Sequence, residues 1–222
     1  YGEREGSDWR IVSIETAGDR SFATVEHAGE RFELVLNVPG RHMVANGTAA
    51  LAVSHLCGVD PALAITTLAG FGAQPGRGQK LHLGPPDRPL ILIDESYNAN
   101  TASMAAALDV FASQQAAPGA GKVLVLGDML ELGPQGPALH ASLRDAVQAA
   151  GADHIYLVGP AMAALAEALG PGRVAAHTQT AGEMEPLLLN ALAYGDAVMI
   201  KGSQGVGLGG LVEQIRRKFE GN

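Results

Sequence analysis

The chain has 222 residues, 47% of them hydrophobic and 17% charged, a balance that excludes a disordered chain and suffices for one large or two small cores. Its net charge of −8 argues against nucleic acid as the main partner, because neutralising a phosphate backbone takes a basic surface. No run approaches the ~18 apolar residues of a membrane span, so no membrane insertion is expected.

In chain order, Trp9–Ile14, Phe22–Val25 and Phe32–Val38 alternate apolar and polar residues. With turns at Ala17-Gly-Asp19 and Ala28-Gly-Glu30 they predict an antiparallel meander, closed by Pro39-Gly40. Alanine and leucine recur at helical spacing over Met43–Leu56 and Pro61–Leu68. The lone Cys57 has no disulfide partner and follows an apolar helical stretch, so a reduced, cytoplasmic protein with a buried core thiol is expected. The opening Tyr1-Gly-Glu-Arg-Glu-Gly6 has no signal-peptide character, and Asn46-Gly-Thr48 is read as a chance sequon.

Gly70–Lys80 reads as a glycine-rich connection, and Pro85-Pro86-Asp87 as a boundary that divides the chain into 1–86 and 87–222. Beyond it, apolar runs predict strands at 90–95, 122–126, 154–158, 173–176 and 197–201. Helical patterns fall at 101–115, 135–150, 161–169, 180–193 and 208–219. Strict alternation of this kind predicts an α/β, Rossmann-like domain, a parallel sheet with helices on both faces. The meander and two helices before it form an incomplete piece with a thin core of its own.

Polar residues gather at three predicted strand ends. Ile91–Ser103 ends an apolar strand in Asp94 and Glu95, then adds Ser96, Tyr97, Asn98 and Asn100 before a helix starting at Thr101 and Ser103. In an open α/β sheet the ligand crevice lies at the carboxyl ends of the strands, so a bound ligand is expected there. Asp128 and Glu131 follow the second strand, where helix capping accounts for them equally well. Lys201-Gly-Ser203 follows the last strand, and packing alone poorly explains a lysine after Val-Met-Ile. His140 reads as a structural helical histidine. Arg77, between Gly76 and Gly78, has the reach for a phosphate. Gly119-Ala-Gly121-Lys122 is rejected as a phosphate loop because a strand, not a helix, follows. Gly205–Gly210 satisfies G-x-G-x-x-G but lacks a following strand, and reads as a loop into a helix whose amides suit an anion. No Cys/His set has metal-ligand spacing, and no Ser-His-Asp set stands out.

The strings Asp94-Glu-Ser-Tyr-Asn-Ala-Asn100, Leu126-Gly-Asp-Met-Leu-Glu-Leu-Gly133 with His140, and Lys201-Gly-Ser203 resemble the Mur ligases, most of all their D-alanyl-D-alanine-adding branch. Gly40-Arg-His-Met-Val-Ala-Asn46 and Gly76-Arg77 resemble motifs at the end of that family's central ATPase domain, so the likeness runs over nearly the whole chain. The resemblance implies a cytoplasmic ligase of peptidoglycan synthesis. It uses ATP and Mg2+ to activate the carboxylate of a UDP-N-acetylmuramoyl-tripeptide as an acyl phosphate, which the amine of D-alanyl-D-alanine attacks. It further implies that 1–86 ends the central domain and 87–222 is the C-terminal domain. The UDP-sugar domain, the Gly-Lys-Thr loop and most magnesium ligands would then lie outside the chain, leaving it inactive alone.

By the same resemblance Asn46 contacts adenine, Arg77 the nucleotide phosphates, and Glu95 or Asp94 the ribose hydroxyls. Asn98, Asn100 and Lys201 hold the dipeptide and the reacting groups, with Asp128 and Ser203 on the substrate side. Met43, Glu95, Thr101 and Gln204 depart from the residues usual in the family (asparagine, aspartate, proline and arginine). A folylpolyglutamate synthase-like amide ligase and a non-catalytic nucleotide- or peptide-binding module are the other readings.

Overall fold

The computed structural model describes residues 1–18, 20–70, 72 and 74–220; Asp19 of the first predicted turn and Phe71 and Ala73 of the glycine-rich connection lie outside them. The chain divides into two compact units, Tyr1–Ala73 and Gln74–Asn222.

The first unit is the predicted meander with its two helices. Strands β1 (Arg10–Ala17), β2 (Arg20–His27) and β3 (Glu30–Leu36) pair antiparallel in the order β1-β2-β3. Helices α1 (Arg41–Leu56) and α2 (Pro61–Ala69) pack on them around Val25, Leu34, Leu36, Val44 and Leu51. Gly47 lets α1 lie close, since a Cβ there would stand 3.1 Å from Leu36. Cys57 is exposed, contrary to the expected core thiol. The buried stripe of α1 runs Val44, Thr48, Leu51, and Cys57 caps the helix off that stripe.

In the second unit β4 (Gln79–Leu83), β5 (Leu90–Glu95), β6 (Lys122–Gly127), β7 (His154–Val158), β8 (Ala176–Thr178) and β9 (Ala197–Lys201) form one sheet in the order β4-β5-β9-β6-β7-β8. All neighbours are parallel except β4, which pairs antiparallel with β5 from Gln79↔Asp94 to Leu83↔Leu90. The sheet is therefore mixed, and Gln79–Leu83, whose first two residues fell in the expected Gly70–Lys80 connection and whose last three were assigned no element, is its edge strand. For the same reason the compact units divide upstream of Pro85-Pro86.

Strand residues alternate between the two faces, as a period of two requires. Ile93, Leu124, Leu126, Ile155, Leu157 and Met199 pack under α3 (Thr101–Ala112), α5 (Arg144–Ala149) and α6 (Ala163–Leu169). Leu92, Val123, Val125, Val158, Val198 and Ile200 pack under α7 (Ala181–Ala191) and α8 (Leu208–Phe219). The single helix expected at 135–150 is two, α4 (Gly136–Ala141) and α5. Leu143 N–H bonds to His140 O instead of continuing the i→i−4 ladder, while Ser142 Oγ holds Leu139 O at 2.8 Å. Among the described residues no helix is long and apolar enough to cross a membrane.

Candidate active site

Parallel pairing puts the carboxyl ends of β5, β9 and β6 side by side, with Glu95 and Lys201 as register partners and Leu126 opposite Lys201. Three polar loops therefore meet at one edge, and hydrogen bonds tie them together.

Asp94, buried at the end of β5, accepts from Gly76 N at 2.8 Å, Ser96 N at 3.0 Å and Ser96 Oγ at 2.6 Å. Its carboxylate thus fastens the Gly76–Gly78 segment to the β5–α3 turn. Tyr97 N–H donates to Gly76 O, and the Arg77 guanidinium stacks 4.1 Å from the centroid of the Tyr97 ring. Gly76 is required here: its φ is +74°, and a Cβ would come within 2.8 Å of Tyr97 Cβ. Arg77 itself is exposed.

Lys201 is 2% exposed. Its ammonium donates to Glu95 Oε2 at 3.3 Å and to Asn98 O at 3.0 Å, so one buried cation joins β9 to the end of β5 and the loop beyond. Burial pulls its pKa below the ordinary lysine value, and the Glu95 carboxylate opposes that shift. Asn98 is exposed; its Oδ1 accepts from Ala99 N, and among the described residues its amide nitrogen has no hydrogen-bond partner.

Asn100 caps α3, which starts at Thr101 as expected. Its Oδ1 accepts from Ser103 N at 2.8 Å while Ser103 Oγ accepts from Asn100 N at 3.0 Å, a reciprocal capping box. Asn100→Ala is expected to cost about 1 kcal/mol in urea unfolding, and Asn100→Asp about nothing.

Asp128 is buried and accepts from Ala161 N at 3.2 Å and Met162 N at 2.9 Å, the amides leading into α6. Ser203 N–H donates to Asp128 O, and Ser203 Oγ accepts from Leu130 N at 3.0 Å and reaches Ala99 O at 3.5 Å. Ser203 therefore joins all three loops. His140 is fully buried; its Nε2 accepts from Met129 N at 2.9 Å and its Nδ1 lies 2.7 Å from Gly136 O. Because the backbone N–H can only donate, the ring is held with its proton on Nδ1. That is the structural role expected for it.

A cleft of about 320 Å³ opens between the β5–α3 turn and the first turn of α8. Asp94, Ser96 and Tyr97 line one side; Gln204, Gly207 and Gly209 line the other. Gly207, at φ +81° before α8, and the side-chain-free Gly209 and Gly210 keep that wall low. Of the expected site residues, Arg77, Asp94, Glu95, Asn98, Asn100, Asp128, Lys201 and Ser203 all lie in this unit. Asn46 is exposed on α1 of the first unit. Ser96, Tyr97 and the α8 glycines also belong to the cleft, and their signal was the G-x-G-x-x-G pattern beside a polar strand end. Among the described residues no three His, Cys, Asp or Glu side chains group as metal ligands.

A family model described as Mur ligase, glutamate ligase domain, matches residues 76–204. The chain is 33% identical over 216 residues to the UDP-N-acetylmuramoyl-tripeptide--D-alanyl-D-alanine ligase of Escherichia coli (strain K12), a match over 97% of this chain and 45% of that protein. The ligase of the same name from Bacillus subtilis (strain 168) is 28% identical over 97% of the chain and 46% of its own length. The crystal structure of MurF from Acinetobacter baumannii superposes with a TM-score of 0.82 at 28% identity, covering 96% of this chain and 45% of that one. The chain thus spans just under half the length of these relatives. With the family model covering more than half of it, and the polar strand ends meeting at one edge, the chain belongs to the Mur ligase family.

Proposed function

We propose that this chain is the C-terminal part of a cytoplasmic UDP-N-acetylmuramoyl-tripeptide--D-alanyl-D-alanine ligase of peptidoglycan precursor synthesis. In that reaction ATP phosphorylates the tripeptide carboxylate, the amine of D-alanyl-D-alanine attacks the acyl phosphate, and phosphate leaves. The observation that carries this reading is likeness across 97% of the chain to a ligase of that name.

Within it, Arg77 supplies a cation to the nucleotide phosphates, held at its post by the Tyr97 ring. Glu95 accepts from the ribose hydroxyls. Asn98 offers its free amide to the dipeptide or the reacting phosphate. Lys201, Asn100, Asp128 and Ser203, whose polar atoms already hold neighbouring loops, act by fixing that geometry. Magnesium ligands would come from the rest of the longer protein, as would the remaining domains. The chain alone is expected to be inactive.

The test is a substrate screen of the intact protein by ATP-dependent phosphate release. Turnover should require the tripeptide and D-alanyl-D-alanine together. Glutamate addition to a folate without dipeptide addition would replace this reading with the folylpolyglutamate synthase-like one. ATP binding without turnover on any amine would favour a binding module.

A further inference from the structure

The carboxylates at the strand ends are mostly engaged. Asp94 holds Gly76 and Ser96, Glu95 holds Lys201, and Asp128 holds the amides of Ala161 and Met162. Glu131 differs from all three. It is exposed, it makes no hydrogen bond or ion pair with any described residue, and its φ is +64°, a conformation that L side chains rarely adopt.

Its neighbours hold it there. Met129 N–H is fixed by His140 Nε2 at 2.9 Å, Leu130 N–H by Ser203 Oγ at 3.0 Å, and Asp128 by the start of the α6 segment. Three buried anchors thus present one uncommitted carboxylate on a rigid turn. Beside it Leu130 is 43% exposed and rests on Gly205, where a Cβ would approach Leu130 Cδ1 to 2.8 Å. A free carboxylate next to an exposed leucine suits a ligand end that carries an ammonium beside a small apolar group.

We propose that Glu131 is a substrate-binding residue that takes the ammonium of the incoming dipeptide, with Leu130 against its first side chain. This rests on the ligase reading above. In the full-length ligase, Glu131→Gln should raise KM for D-alanyl-D-alanine about 10-fold or more and leave KM for ATP and the tripeptide unchanged. Propanoyl-D-alanine, the dipeptide without its ammonium, should inhibit parent and variant equally, so the parent's preference for the amine collapses in the variant. Glu131→Gly, which removes the strain, should raise the melting temperature and show the same KM loss, separating binding from folding. An unchanged dipeptide KM in Glu131→Gln, or an equal loss of affinity for propanoyl-D-alanine, overturns the ammonium contact while the ligase reading stands. A parent enzyme that does not ligate the dipeptide overturns both.

Discussion

Lys201→Met in the intact ligase is expected to cut activity about 100-fold or more while thermal stability stays within about 1 kcal/mol of the parent. The two effects separate because Lys201 is a buried cation with a job outside the core. Its ammonium is withdrawn from water at 2% exposure, and its two partners lie on the ligand edge. Methionine fills similar volume without the desolvated charge, and Glu95, 21% exposed, can turn to water. What is lost is the tie that aims Glu95 and fixes the carbonyl of Asn98. Activity assays paired with thermal unfolding check this; equal losses in both would make Lys201 a purely structural residue.

The same residue leaves a signature in pH. Its pKa is lowered in the folded state, so between that value and the ordinary lysine value near 10.5 the unfolded chain binds the proton more tightly. Stability from this group therefore rises with pH across that window. Lys122, lowered by burial, adds to the rise, and Tyr156, raised by burial, opposes it above its ordinary range. The difference between parent and Lys201→Met isolates the Lys201 share, and the variant should lack it.

Gly159→Ala is expected to cost about 3 kcal/mol or more in equilibrium unfolding. Gly159 has φ 111° and ψ 153°, a region that essentially only glycine occupies. A Cβ there would also stand 2.4 Å from Asp128 Cγ, displacing the carboxylate that caps the segment into α6. Both effects act at one place: the alanine is strained, and the amides of Ala161 and Met162 lose their acceptor. The double variant with Asp128→Ala should lose less than the sum of the single losses, because the clash disappears with the carboxylate. Strict additivity would show that the close approach carries no energy.

The parts of this fold written in local pattern were legible. The meander, the alternation of strands and helices, and the polar strand ends follow from periodicity and composition alone. Gln79–Leu83 was not, because two leucines between glycines and prolines become a strand only by pairing with Leu90–Glu95. The break near Leu143 and the exposure of Cys57 likewise depend on which turn of a helix meets the sheet. At the site, residue types and their shared edge were readable, but the state of each side chain was not. Asp128 looked like a cap or a ligand, and only the arrival of Met162, distant in sequence, decides what its oxygens hold. Glu131 stood in the same string, and nothing local marked it as the free one.

The most direct measurement of the central claim uses the intact protein with UDP-N-acetylmuramoyl-tripeptide labelled with 18O in its terminal carboxylate, together with ATP and D-alanyl-D-alanine. Mass spectrometry should find the tripeptide extended by the dipeptide and one 18O atom in the released phosphate, as an acyl phosphate requires. No extended product, or product formed with unlabelled phosphate, would contradict the account.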